Sequence, residues 1–207
     1  MKCIITPSLM AKNQNELDTG LNKLKGLVKT VHLDIVDGKF AKNKVMMFPF
    51  TLKKEFMYMA HLMVKDPEKW IEKNGTKVDV YIPHFEEVKD ITTYIKKTKK
   101  QKGKVAFALL PGTNVKKIGP YLKSIDYVLV LTVHPGFYGG RYLSSNLRKI
   151  TEIKKINPKT KVIVDGGMNP VRVKNAVMRG ADYIVSGNYV MKGDTVQEGL
   201  RKLRENI

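Results

Sequence analysis

Eight short apolar runs, set along 207 residues and separated by helical patterns, limit the folds open to this chain more than any other feature of its sequence. The runs cover 3–9, 31–35, 56–64, 78–82, 105–110, 127–133, 162–164 and 183–185. Between most of them apolar residues recur at helical spacing, first at Leu17, Leu21, Leu24 and Leu27 and then through Trp70 and Ile71 behind Pro67. The pattern continues at Val88, Ile91 and Ile95, at Val115, Ile118 and Leu122, and at Leu147, Ile150 and Ile153. Val171, Val173, Ala176 and Val177 carry it on, and Val196, Leu200 and Leu203 end it. Strands alternating with helices predict a mostly parallel sheet, and eight such units in this length fit a closed (β/α)8 TIM barrel. No linker or low-complexity segment breaks the pattern, so a single domain over residues 1–207 is expected. One connection is irregular: 38–55 holds Phe40, Asn43, Met46, Met47, Phe48 and Pro49, with room for one short helix over 51–56. A long apolar loop at a strand's carboxyl end is expected to form a lid or a substrate wall.

A barrel of this kind builds its site at the carboxyl ends of the strands. There the second run reads Val31-His32-Leu33-Asp34-Ile35-Val36-Asp37-Gly38. Side chains alternate along a strand, so His32 and Asp34 share one face while Leu33 and Ile35 pack the other. The four histidines all fall in or after strand runs: His32 in the second, His61 in the third, His84 after the fourth and His134 after the sixth. Asp165 follows the seventh run directly. His32, Asp34, His61 and Asp165 therefore form the natural cluster, and two imidazoles with two carboxylates suit one divalent ion: zinc, iron, manganese or cobalt. A salt-bridged His–Asp pair at a barrel mouth, with His61 as a hydrogen-bonded core histidine, is the plainer alternative. Two carboxylates across a metal also suit proton abstraction beside a carbonyl, Asp34 and Asp165 serving opposite faces.

Glycines supply the other half of the expected site. Gly136-Phe137-Tyr138-Gly139-Gly140 follows the sixth strand, Gly166-Gly167 the seventh and Gly187-Asn188 the eighth. Glycine lets backbone N–H groups approach an anion closely, and barrels often seat phosphate after strands seven and eight. The net charge of +19, from 38 Lys and Arg against 19 Asp and Glu, favours anionic partners. Its densest stretch is Lys96, Lys97, Lys99, Lys100, Lys102 and Lys104. The lysines are otherwise spread over every helical segment without aromatic interleaving, so dedicated nucleic-acid binding is not expected. No apolar run approaches the roughly 20 residues a membrane span needs. One cysteine, Cys3, excludes an internal disulfide and fits a reduced thiol in the cytoplasm.

Five motifs in order resemble the ribulose-phosphate 3-epimerase family: Ile5-Thr6-Pro7-Ser8-Leu9-Met10, His32 through Phe40, His61-Leu62-Met63-Val64, Val133-His134-Pro135-Gly136-Phe137 and Val164-Asp165-Gly166-Gly167. The resemblance runs over nearly the whole chain. It implies interconversion of D-ribulose 5-phosphate and D-xylulose 5-phosphate through an enediolate, with His32, Asp34, His61 and Asp165 on the metal and Asp34 and Asp165 as the acid/base pair. It further implies substrate contacts from Ser8, His61 and Met63, and a phosphate seat from Gly136, Phe137, Gly139, Gly140, Gly166, Gly167, Gly187 and Asn188. Asp37 matches the aspartate of an Asp-Gly turn, and His84 and Glu86 match a His-x-Glu without an assigned role. A homo-oligomer is expected from the family.

The chain departs from the family pattern around the pocket. Val36 and Leu131 stand where methionine is usual, Phe40-Ala41-Lys42-Asn43 replaces Phe-Val-Pro-Asn, and Phe48-Pro49 replaces a more glycine-like segment. Leu110 precedes Pro111 where asparagine is usual, Tyr138 and Arg141 alter the loop after strand six, and Asn188 replaces serine or threonine. None of these touches the four cluster residues, so the reaction type is firmer than the substrate, and a hexulose 6-phosphate stays open. Another phosphate-binding barrel lyase is the second reading. However, Lys161 and Lys104 precede their strands, so no Schiff-base lysine stands at the mouth, and no Asp-x-Lys-x-x-Asp pattern occurs. A non-enzymatic basic barrel that binds polyanions is the third.

Overall fold

A computed structural model describes residues 3–74, 77–136 and 139–207. Its elements run β1 (Ile4–Leu9), α1 (Gln14–Leu24), β2 (Thr30–Asp37), β3 (Lys44–Val45), β4 (Met57–Met63), α2 (Pro67–Asn74), β5 (Val80–Pro83) and α3 (Ile91–Lys100). They continue with β6 (Ala106–Leu109), α4 (Val115–Ile118), β7 (Tyr127–Leu131), α5 (Arg148–Ile156), β8 (Lys161–Asp165), α6 (Pro170–Val177), β9 (Tyr183–Ser186), α7 (Asn188–Met191) and α8 (Val196–Arg204). All eight expected strands are present. They pair in parallel in the order β5-β4-β2-β1-β9-β8-β7-β6, and a single parallel bridge between His84 and Ala108 spans the remaining gap of the ring. The fold is a (β/α)8 barrel.

The period-2 pattern of each strand builds two apolar layers. Met59, Ile82, Leu129, Ile163 and Val185 pack inside the barrel. Leu33, Ile35, Leu62, Val128, Val130 and Val164 point outward and pack against the apolar stripes of the helices, among them Leu17 and Leu21 of α1 and Leu200 and Leu203 of α8. Three aspartates fasten the amino-terminal end of the ring in the same way. Asp79 donates its N–H to the Tyr58 carbonyl (3.1 Å) and accepts the Tyr58 N–H on its carboxylate (2.7 Å). Asp126 makes the same pair with Val105 (2.8 and 2.9 Å), and Asp182 with Val162 (2.9 and 2.8 Å). Each precedes a strand and holds the start of the strand before it, which sets the register that places the opposite, carboxyl-terminal mouth.

The irregular connection departs from expectation in two ways. Residues 51–56 form no helix. The Gln14 side chain instead clasps Thr51, accepting its N–H (3.0 Å) and donating to its carbonyl (3.2 Å), while Phe50 and Phe56 are drawn into the helix–strand layer, so the backbone stays open. The same connection contributes β3, antiparallel to the end of β2 through Val36–Val45 and Asp37–Lys44. Two residues of strand leave no period to read in sequence.

Candidate metal centre at the barrel mouth

Register brings the four cluster residues together. Asp34 on β2 pairs in register with His61 on β4, His32 pairs with Ser8 on β1, and Asp165 ends β8 beside Leu131 of β7. Asp34 Oδ1 lies 3.4 Å from both His32 Nε2 and His61 Nδ1, and Asp165 Oδ2 lies 3.6 Å from His61 Nδ1. One ligand atom from each residue falls within 4.8 Å of all the others. His32, Asp34 and His61 are buried, and the Asp165 side chain is 16% exposed at the opening. Thr132 fixes the turn that carries Asp165: its hydroxyl donates to the Asp165 carbonyl (2.9 Å) and its N–H to the same oxygen (2.8 Å).

The electrostatics are those of tightly packed opposite charges. Burial alone would raise the Asp34 carboxyl, yet the His32 and His61 imidazoles outweigh it and hold Asp34 below the usual carboxylate range. Burial likewise opposes charge on His61, and the Asp165 and Asp34 carboxylates overcome it, raising the imidazole to about 9. Among the described residues, both ring nitrogens of His32 and Nδ1 of His61 are buried without a hydrogen-bond partner. Orphaned buried nitrogens are costly, and a cation between two imidazoles and two carboxylates would satisfy His61 Nδ1 and one nitrogen of His32. The donor set fits a divalent ion.

A cavity of about 570 Å³ opens above this cluster. Asp34, His61 and Asp165 line one end, with Ser8, Met10, Met63 and Leu131 on its walls. Gly136, Gly139, Gly166, Gly167, Gly187 and Asn188 line it as well. Gly166 has φ +117°, and a Cβ there would lie 2.6 Å from Val133 Cγ2 and 2.9 Å from Val133 N, so the turn admits only glycine. Gly140, expected in the seat, is exposed and does not line the cavity. Phe137, also expected there, lies outside the described residues, as does Tyr138. His134 is exposed and stands apart from the cluster. Asp37 is structural: its carboxylate accepts N–H groups from Lys39 (2.7 Å), Phe40 (2.8 Å) and Lys65 (2.9 Å), closing the turn after β2.

Several site residues escaped the sequence. Arg172, on α6, lines the cavity, donates to the Gly167 carbonyl and lies 4.1 Å from the centroid of the Tyr142 ring. Lys192 and Lys202 also line the cavity. Arginine near the start of a helix after a glycine pair was the available signal for Arg172, but its partner Tyr142 comes from a different loop. Met10 restores part of the apolar wall that Val36 and Leu131 had seemed to remove, packing with Val36, Val45 and Met63.

Fold and site together define a (β/α)8 barrel with a candidate two-histidine, two-aspartate metal centre at its carboxyl-terminal mouth. The model of the ribulose-phosphate 3 epimerase family matches residues 4–191, and the chain belongs to that family. It is 30% identical to ribulose-phosphate 3-epimerase of Schizosaccharomyces pombe, over 98% of this chain and 93% of that protein. It is 32% identical to the enzyme of the same name from Methanocaldococcus jannaschii, over 84% of this chain and 77% of that protein. Among solved structures, 3-hexulose-6-phosphate synthase from Salmonella typhimurium superimposes with a TM-score of 0.69 at 15% identity, covering 100% of this chain and 98% of that one, which shows a shared fold. Among the described residues no helix is long and apolar enough to cross a membrane.

Proposed function

We propose that this chain is a metal-dependent epimerase that inverts C3 of D-ribulose 5-phosphate to give D-xylulose 5-phosphate. The observation that carries the reading is the placement of two carboxylates, Asp34 and Asp165, 3.4 and 3.6 Å from the same buried imidazole nitrogen at the floor of the cavity. His32, Asp34, His61 and Asp165 would hold the ion, whether zinc, iron, manganese or cobalt. When bound, it supplies a Lewis acid that polarises the sugar's carbonyl and steadies the negative charge that develops as C3 loses its proton. Asp34 and Asp165 form the acid/base pair: one takes the C3 proton from its face of the sugar and the other returns a proton to the opposite face. Ser8, Met10, Met63 and Leu131 orient the sugar and keep water from the reacting carbon. The phosphate takes the glycine-lined end, against Gly166, Gly167, Gly187 and Asn188, with Arg172 as its cation.

Val171 and Met178, seven residues apart and 70% and 75% exposed, supply an apolar face at α6 that suits the expected homo-oligomer. We place the site of action in the cytoplasm, where a lone cysteine stays reduced; Cys3 is buried and its thiol pushed up to about 12 by that burial, which leaves it inert. The deciding experiment follows metal-loaded protein with D-ribulose 5-phosphate in deuterium oxide by NMR. Deuterium at C3 and the appearance of xylulose 5-phosphate, both lost on chelation, are expected. Metal-loaded protein that exchanges no C3 proton would overturn the assignment.

A further inference from the structure

The two cluster imidazoles are not held alike. His32 has no hydrogen-bond partner on either ring nitrogen among the described residues. His61 turns Nδ1 towards Asp34 and Asp165, and its other nitrogen, Nε2, lies 2.9 Å from Nε2 of His84. His84 is fully buried immediately after β5, where its bridge to Ala108 spans the last gap in the barrel, and Phe40 covers its ring at 4.4 Å between centroids. His84 Nδ1, itself buried without a hydrogen-bond partner among the described residues, faces Glu86 Oε2 at 3.6 Å, an ion-pair distance rather than a hydrogen bond. Glu86 cannot swing away, because it accepts the Leu110 N–H (3.0 Å) and the Thr113 hydroxyl. Lys149, itself buried, holds the same loop from beneath by donating to the carbonyls of Leu110 (3.0 Å) and Pro111 (2.8 Å).

We propose that His84 and Glu86 are positioning residues that hold His61 in the one tautomer and ring orientation in which Nδ1 can serve as a metal ligand. The inference rests on the metal reading above and deepens it. Without an ion the Asp34 and Asp165 carboxylates favour a proton on His61 Nδ1; once a cation takes that proton's place, two proton arrangements are open to the two neutral imidazoles, and Glu86 favours one of them. In the first, His61 carries its proton on Nε2 and donates it to His84 Nε2. His84 then carries its own proton on Nδ1, directed at the Glu86 carboxylate, and His61 Nδ1 is left with a lone pair for the ion. In the second, both protons sit on the other nitrogens. His61 Nδ1 is then blocked by its hydrogen, and the His84 Nδ1 lone pair faces an anion. The second is electrostatically penalised at Glu86, separated from the cluster by His84 alone, so the carboxylate's preference is transmitted through His84 to the ligand. A ligand histidine braced through its remote N–H is the general way a protein fixes metal geometry, and losing such a brace typically costs 10- to 100-fold in affinity. Here the brace passes through a second imidazole, which lets a carboxylate at the edge of the site act on a ligand inside it.

The test compares wild type, His84→Phe, His84→Gln and Glu86→Ala by competition of the bound ion against a chromophoric chelator, using cobalt(II) for its visible absorption as well as zinc. His84→Phe keeps a ring but offers no acceptor to His61 Nε2–H, and should weaken affinity by about 10- to 100-fold and alter the cobalt band. His84→Gln places an amide oxygen near the position of Nε2 and should return most of the affinity. Glu86→Ala should fall between, because His84 stays and loses only its orienting charge. Equal affinity in all four proteins, or equal loss in His84→Phe and His84→Gln, would overturn the proposal. Failure of wild type itself to bind either ion would instead sink the metal reading on which it rests.

Discussion

Asp34 and His61 stand opposite one another across the β2–β4 pairing, in register, with Asp34 Oδ1 3.4 Å from His61 Nδ1. Two ordinary strands thus place a carboxylate against an imidazole without any special loop, and Asp165 reaches the same nitrogen from the far side of the barrel. Under the proposed mechanism, Asp34→Asn and Asp165→Asn each remove a proton carrier and weaken a metal ligand while keeping size. Each should lower turnover of D-ribulose 5-phosphate by roughly 100- to 10,000-fold, the usual reach of acid/base catalysis. Steady-state kinetics together with metal content per chain would check this. A variant with near-normal turnover would end the two-carboxylate mechanism.

Removing the metal should cost stability as well as activity. The buried imidazole nitrogens that lack partners become a liability in the apo protein, and an ion that binds only the folded chain stabilises it by mass action. At free metal near 100 times its dissociation constant the gain is about 2.7 kcal/mol, roughly a 5–10 °C rise in Tm for a chain of this size. Thermal melts of chelator-treated protein with and without added zinc or manganese would show the shift. A Tm indifferent to metal would mean that the cluster is satisfied without one.

The sequence revealed the barrel because its strands follow a period that burial on both sides enforces. The cluster was legible for the same reason: His32, Asp34, His61 and Asp165 all sit on strands or at strand ends, where alternation and register dictate direction. Loops obey no such period. Asn43, in the connection after β2, donates to the Gly136 carbonyl (3.0 Å) from 93 residues away, and nothing local announces that contact. Arg172 on Tyr142, and Thr132 at the Asp165 turn, are long-range loop partnerships of the same kind. The lysine excess is part surface and part scaffold. Lys149 braces loop carbonyls from inside, and Lys154 donates to the Thr160 carbonyl (2.9 Å) and to Asp182 (2.6 Å), roles that a composition cannot distinguish from solvated charge.

Arg172 should act on binding rather than on chemistry. Its guanidinium is held beside the Gly166-Gly167 turn by the Gly167 carbonyl and the Tyr142 ring, where the proposed phosphate seat lies. Charge-assisted hydrogen bonds contribute about 1.5–3 kcal/mol, so Arg172→Ala should raise KM roughly tenfold or more while kcat changes little. Inorganic phosphate should lose inhibitory strength in parallel. An unchanged KM would remove Arg172 from the phosphate seat.

Asp182 should dominate the acid sensitivity of the barrel's amino-terminal end. Burial opposes its charge, but Lys154 (2.6 Å), the Val162 N–H (2.8 Å) and Lys161 (3.1 Å) outweigh burial and hold its carboxyl below the ordinary value. A carboxyl lowered on folding stabilises the native state fully above its unfolded pKa, near 4. That contribution fades as pH falls from there through the lower folded value. Asp182→Asn keeps an oxygen for the Val162 N–H but leaves Lys154, only 20% exposed, without its counter-charge, and should cost about 1–3 kcal/mol at pH 7. Urea titrations at pH 7, 5 and 3 should show the gap between wild type and variant holding from pH 7 to 5 and narrowing at pH 3. A gap that stayed constant to pH 3 would place the effect in packing and not in the charge.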